Sequence, residues 1–254
     1  MAISLQKANF WKRISAYLCD FIIVVILSVG FATVISAIIG YDKNTETMEG
    51  YYAAYEQEYG IDLTLSREDV SLLPQEMQEK YQAAELAFAK DKDVLALYSK
   101  MLSQTVLVLT FSLLLSCTIT YFVVPLFLKN GQTVGKKVFG VAVMRTNCVK
   151  LTTPALFIRA IIGTYAIETM LPVLIIVMIY FGAMGFGGTL TLFGLLALQI
   201  GVLCATKTNS SIHDLLADSV VVDMASQRIF ESEEALIAYK EEMHAQEVAQ
   251  KEYA

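Results

Sequence analysis

The sequence predicts an all-α integral membrane protein. It has four transmembrane helices with both termini in the cytoplasm, a helical extracytoplasmic insertion, and a small cytoplasmic β-hairpin or sheet. Hydrophobic residues make up 56 % of the 254 and charged residues 17 %, whereas soluble domains are roughly 45–50 % apolar. The apolar residues also gather into runs of about 20 or more, the length that crosses a bilayer. Finally, the charges are sorted, with an acidic segment after the first apolar run and a purely basic loop after the second.

Residues 1–40 hold the N-terminus and the first span, Ile14–Ile39. Lys7, Lys12 and Arg13 precede a run that is too long for a cleaved signal, contains Asp20 and lacks a small-residue cleavage site, so an uncleaved signal-anchor helix is expected. Asp20 lies about two helical turns, roughly 10 Å, beyond Arg13 on the same face. That face must point into the bundle, because lipid satisfies neither charge. Arg13 can snorkel to the interface while leaning toward the carboxylate. The separation is long for a direct pair, so a third group or a water should complete the network.

Residues 41–100 carry thirteen acidic against six basic residues, a net of about −7. Beyond Pro74 they are dominated by Ala, Glu, Lys, Leu and Gln, all good helix formers. A small helical cap outside the membrane is expected, continuous with the second span. Its acidity reads either as cation attraction or partner binding, or more simply as a solvated polar face.

Residues 101–223 form the main membrane region, with spans at Leu102–Leu128, Ala160–Phe181 and Phe186–Ala205. The loop 129–159 contains Lys129, Lys136, Lys137, Arg145, Lys150 and Arg159 and no acidic residue. The positive-inside rule places it, with the N-terminus, in the cytoplasm. Four spans then return the C-terminus to the same side. Within the loop, Asn130-Gly131 suits a tight turn. "KVFGVAVMR" and "CVKLTT", parted at Thr146-Asn147, read as a hairpin to which "SVVVD" adds a third strand. The lysines would face anionic headgroups. Gly135-Lys136 is no phosphate loop, because only three residues separate Gly131 from Gly135 and Lys137 stands where Ser or Thr is needed.

The third apolar run contains Glu168 and Pro172. Either it is a true span, in which Glu168 is a proton-carrying or cation-binding group, or residues 153–168 form an in-plane helix that leaves Glu168 exposed. After the fourth run, Ser211-x-x-Asp214 fits a capping box, which does not exclude a second contact for Asp214. Asp214 and Asp218 share one side of a helix. Residues 224–254 end in "SEEALIAYKEEMHAQEVAQKEYA", an amphipathic acidic cytoplasmic helix, either a solubilising tail or a docking element.

Cys19, Cys117, Cys148 and Cys204 suggest no disulfide framework, and with His213 and His244 as the only histidines no metal site is expected. No cofactor, nucleotide or nucleic acid is expected either. No paired base and nucleophile points to an enzyme. The expected partners are the lipid bilayer and either a second copy of the chain or another membrane protein, since four spans are few for a complete pathway.

Arg13, Asp20 in the first span, "GQTVGKKVFGVAV", Arg159 at the start of the next helix and "IHDLLADSVVVD" together resemble the RDD family of membrane proteins. The resemblance covers roughly 10–40 and 100–223. It implies that Arg13, Asp20 and Asp214 are the arginine and two aspartates for which the family is named, with a loop motif carried by Gly131, Thr133, Gly135, Lys136 and Gly140. One departure is "HDLLADS" where members commonly have "HDLLAGT", so Asp218 adds a carboxylate. A transport role, including sodium/proton exchange in some members, has been proposed for the family. The resemblance therefore implies a small transporter or transporter subunit, and the intramembrane groups Asp20, Arg13 and Glu168 are the expected path for cation and proton exchange. The alternative is a non-catalytic scaffold whose Arg–Asp network only locks helices together. The expected location is the cell membrane, as a multi-pass protein of a bacterial plasma membrane.

Overall fold

The structure is a computed structural model that describes residues 5–252. The outermost residues of the predicted terminal segments, 1–4 and 253–254, and the side chain of Lys129 in the basic loop lie outside the described residues.

Four helices are long and apolar enough to cross a membrane: Phe10–Ile39, Lys92–Phe127, Thr153–Tyr180 and Gly185–Ala205. Each contains most of a predicted run and defines one span. Large apolar side chains such as Ile22, Ile26, Leu190 and Phe193 point outward and are exposed, an arrangement suited to lipid rather than water. The second span begins at Lys92 and so continues directly from the insertion. The third is one unbroken helix that carries Glu168, which removes the alternative of a separate in-plane helix over residues 153–168.

Two stretches of these spans wind more widely than an α-helix, Thr118–Val123 and Ile158–Met170. Each ends just before a proline, Pro125 or Pro172, where the missing N–H interrupts the i→i−4 ladder in any case.

The chain divides into two compact units, residues 31–111 and the remainder. Within residues 31–111 the insertion is helical well before Pro74, with helices Tyr41–Tyr59, Arg67–Leu72 and Gln75–Lys90. Tyr52 stacks on Phe88 with ring centres 4.6 Å apart, and the Tyr55 hydroxyl donates to Asp91 at 2.9 Å. The buried Asn44 donates to Gln104 at 2.7 Å and accepts from Lys100 at 3.0 Å.

In the other unit, strand β1 (Val141–Arg145) pairs antiparallel with β2 (Ser219–Asp223), Val143 facing Val221. The small sheet is as expected, but β1 takes "SVVVD" as its main partner in place of "CVKLTT". "CVKLTT" makes one bridge to β1, Lys150 with Met144, and a second to Phe230 through Val149, and the "KV" that opens "KVFGVAVMR" belongs to a short helix, Val134–Val138. The physical reason is burial on both faces. Ala142, Met144, Val220 and Val222 pack against Phe230 and Leu236, while Val141, Val143 and Val221 pack against Ala8 and Ala16. The three valines of "SVVVD" fill such a position better than a segment bearing Lys150 and two threonines.

The C-terminal helix Glu233–Glu252 supplies Leu236 and Tyr239 to this packing, and the Arg228 guanidinium lies 4.3 Å from the Tyr239 ring centre. It therefore packs on the sheet as well as presenting a solvated face. Lys7 bridges Val222, so the N-terminal segment, the basic loop and the C-terminal segment meet in one module. Among the described residues, both chain ends lie on the side of the basic loop.

Asp218 occupies a backbone position with φ +46°, the left-handed region that glycine enters most easily and Asp more readily than most residues. The glycine of the family's common "HDLLAGT" fits this turn directly. Here the Asp218 carboxylate accepts from the Thr146 hydroxyl at 2.6 Å, and Arg145 stands 3.7 Å away. The extra carboxylate thus fastens the β2 end of the sheet to the turn after β1.

Candidate functional site

Asp20 is 1 % exposed on the first span. Its carboxylate accepts from the Thr133 hydroxyl at 2.5 Å and from the Gly135 backbone N–H at 2.8 Å, and Lys136 Nζ stands 3.8 Å away. Thr133 in turn caps the helix Val134–Val138 by accepting from the Lys136 N–H at 3.3 Å. The loop motif is therefore built to hold this carboxylate. Gly135 is required by space, since a Cβ there would lie 2.2 Å from the Ala16 carbonyl oxygen. Gly131 and Gly140, both with positive φ, make the turns on either side of the helix.

Arg13 does not lean on Asp20. Its partners are the Thr208 carbonyl, at 3.2 Å, and the Asp214 carboxylate, at 3.6 Å. The Arg13–Asp20 association expected from helical spacing is thus replaced by two separate attachments, one to the loop and one to the segment after the fourth span.

Asp214 is fully buried. The capping box is present on the short helix Ile212–Leu216, with Ser211 and Asp214 exchanging bonds. Its Oδ2 serves that cap, while Oδ1 accepts from Arg159 Nη2 at 2.8 Å and Nε at 3.1 Å and from the Ser219 hydroxyl at 3.2 Å. One carboxylate therefore serves both readings, cap and ion pair. Burial works to raise its pKa, but the Arg159 and Arg13 guanidiniums, joined by His213 when it is protonated, outweigh it and hold the group well below the usual carboxylate range.

Sequence reasoning gave His213 no role. Its Nδ1 lies 2.6 Å from Glu168 Oε2, and its backbone N–H donates to Glu168 Oε1 at 3.0 Å. Its Nε2 is 2.9 Å from Arg159 Nη2. Arginine only donates, so this contact fits a neutral imidazole whose Nε2 accepts from Arg159 while Nδ1–H is given to Glu168. The available signal was adjacency to Asp214 in "IHDLL". The decisive fact was hidden in the winding of the third span. At 3.6 residues per turn, nine residues are two and a half turns, which would put Arg159 and Glu168 on opposite sides. The wider i→i+5 winding returns them to one face after about two turns. Gly163, between them, admits the short helix, since a Cβ there would fall 2.4 Å from His213 Cβ.

These groups surround a cavity of about 330 Å³ whose wall includes Arg13, Asp20, Lys136, Arg159, Glu168, His213 and Asp214, with Gln199 and Leu203 from the fourth span. Burial lowers the Lys136 ammonium to about 8. Arg159 adds to this, Asp20 and Asp214 oppose it, and Arg13 adds weakly. Among the described residues no three His, Cys, Asp or Glu side chains converge as a metal ligand set. Chemically the site can hold charge, exchange a proton through the carboxylate–imidazole pair, and enclose a small polar molecule.

No curated protein and no solved structure matches the chain. Residues 7–218 match the RDD family, a range that contains every residue of the Asp20 and Asp214 clusters except Ser219 and that also encloses the acidic insertion. The chain belongs to the RDD family, and with four apolar helices it is a multi-pass membrane protein.

Proposed function

We propose that the protein carries a small charged solute across the bacterial plasma membrane in a proton-linked manner, and that Glu168–His213 is the pair that takes up and returns the proton. The observation that carries this reading is the cavity between spans with that pair on its wall. An imidazole changes charge near neutral pH more readily than any other side chain, and an ionisable residue within a span marks a transport path by default. The sequence-based expectation of cation/proton exchange centred on Asp20 has weaker support. Asp20 is bound to Thr133 and Gly135 of a packed loop, so taking up a cation there means dismantling that attachment. A second copy of the chain is the proposed partner that completes the path.

The scaffold reading is favoured by one observation, that Asp20 and Asp214 have their oxygens engaged within the chain, as a structural lock requires. Reconstituted protein separates the two. A pH-sensitive dye inside proteoliposomes should report proton movement when a solute gradient is imposed. Glu168→Gln should abolish that movement while the protein still inserts and melts cooperatively. Wild-type flux in Glu168→Gln rejects the assigned role, and no proton movement in wild type under any gradient favours the scaffold.

A further inference from the structure

The polar groups around the cavity are unequally supplied with partners. The carboxylates are satisfied: Asp214 by Arg159 and Ser219, Asp20 by Thr133 and Gly135, and Glu168 by both donors of His213. The cations are not. Lys136 Nζ, with three donors, has the Thr133 hydroxyl at 3.4 Å as its hydrogen-bond acceptor among the described residues, Asp20 being at 3.8 Å. Arg13, with five, gives a hydrogen bond to the Thr208 carbonyl and lies 3.6 Å from Asp214. Lys136 and Arg13 thus bring donor capacity to the wall that the described residues leave largely unused.

The charge count points the same way. With His213 neutral, Arg13, Lys136 and Arg159 balance Asp20, Glu168 and Asp214. Tyr17 and Tyr121 complete the titratable groups on the wall, and the fourth span offers the neutral Gln199. Protonating His213 leaves one positive charge in excess. It also turns Nε2 from acceptor to donor, so that Arg159 Nη2 loses the acceptor now 2.9 Å away. A small anion with oxygen acceptors corrects both at once, restoring neutrality in a low-dielectric site and giving Arg159, Arg13 and Lys136 an acceptor.

We propose that the cavity binds a small oxyanion, a carboxylate or phosphate group, together with one proton on His213, and that this anion is the solute of the transport reading on which the proposal rests. Because the coupling is reciprocal, the anion raises the affinity for the proton as much as the proton raises affinity for the anion.

The test uses the full chain purified in detergent or nanodiscs. Choline acetate and choline phosphate are compared with choline chloride, and sodium chloride provides the cation arm. At least one oxyanion should raise the melting temperature, with affinity falling by up to about tenfold per pH unit, the slope of one linked proton, over the range below about 8 in which Lys136 keeps its own proton. In weakly buffered solution its addition to wild type should draw about one proton from the medium per protein bound. Lys136→Met should weaken oxyanion binding at least tenfold. If that variant fails to fold, proton uptake by wild type decides alone.

Stabilisation by sodium but by neither oxyanion overturns the proposal, as does no stabilisation by any salt, or oxyanion binding without proton uptake. The acetate and phosphate arms distinguish the two ligand classes. Oxyanion binding with proton uptake but without flux in proteoliposomes keeps the binding site and rejects both transport and the anion's role as solute. Sodium-driven proton flux without oxyanion binding does the reverse.

Discussion

Replacing Gly135 by Ala should unseat the loop from the first span. The added Cβ would stand 2.2 Å from the Ala16 carbonyl oxygen and 2.9 Å from Asp20 Oδ1. Neither atom is the free end of a flexible chain: one is helix backbone, and the other belongs to a side chain 1 % exposed. The helix Val134–Val138 must therefore withdraw, which stretches the Gly135 N–H bond to Asp20, now 2.8 Å, and the Thr133 bond beside it. Overpacking of this kind costs about 1–3 kcal/mol, and a charge-assisted hydrogen bond contributes about 1.5–3 kcal/mol. Losing one such bond brings the total to about 2.5–6 kcal/mol. Thermal unfolding in detergent, followed by circular dichroism, should show a fall on the order of 10 °C. Gly140→Ala is the control. That position has φ +65° but nothing within 4 Å, so only the left-handed backbone cost of about 1–2 kcal/mol applies. In an Asp20→Asn background the Gly135→Ala loss should shrink, because part of it is the carboxylate's lost bond. A Gly135→Ala protein that melts like wild type, or losses that simply add, would refute the reasoning.

Arg159→Met leaves the buried Asp214 without its main partner and should destabilise by about 3–5 kcal/mol. Adding Asp214→Asn, which can still cap its helix, should recover most of that, and a double mutant no more stable than the single one rejects the pairing. Asp214 is held low in the folded protein, so its stabilisation is complete above the ordinary carboxylate value of about 3.9 and is lost as pH falls through the lowered value. Wild type should lose melting temperature below about pH 4 more steeply than Asp214→Asn. Lys136 titrates at about 8 when folded against 10.5 ordinarily. The unfolded chain therefore binds more protons between those values, and stability should rise with pH across that window; the rise should be absent in Lys136→Met. Single cysteines at Glu58 and Lys137, in a background lacking native cysteines, should label from opposite sides of intact membranes, and labelling of both from one side overturns the charge-based orientation.

The four spans were legible because length and hydropathy suffice to define them, and the Ser211–Asp214 cap because its spacing is local. Long-range choices were not. Both β1 and β2 were recognisable as strands, but nothing in "CVKLTT" or "SVVVD" alone says which one pairs with β1 when both faces must be buried. The Arg13 side chain was assigned toward Asp20 by helical spacing. The structure gives it to Asp214, since a backbone N–H and a hydroxyl presented by a packed loop satisfy Asp20 at shorter range than the arginine does. Glu168 was undecidable because its meaning depends on helix winding, and the winding that aligns it with Arg159 leaves no periodic mark in so uniformly apolar a run.

The Arg159–Asp214 pair also constrains how the chain is made. Its partners are 55 residues apart, and the fourth span lies between them. At about 5–20 residues per second, synthesis brings Asp214 out roughly 3–11 s after Arg159. During that interval the guanidinium has no Asp214 to pair with, and Glu168, 45 residues before His213, waits roughly 2–9 s for its own partner. A nascent chain halted before residue 212 lacks the partners of both charges. Both charges gain those partners only when the helix Ile212–Leu216, which carries His213 and Asp214, docks.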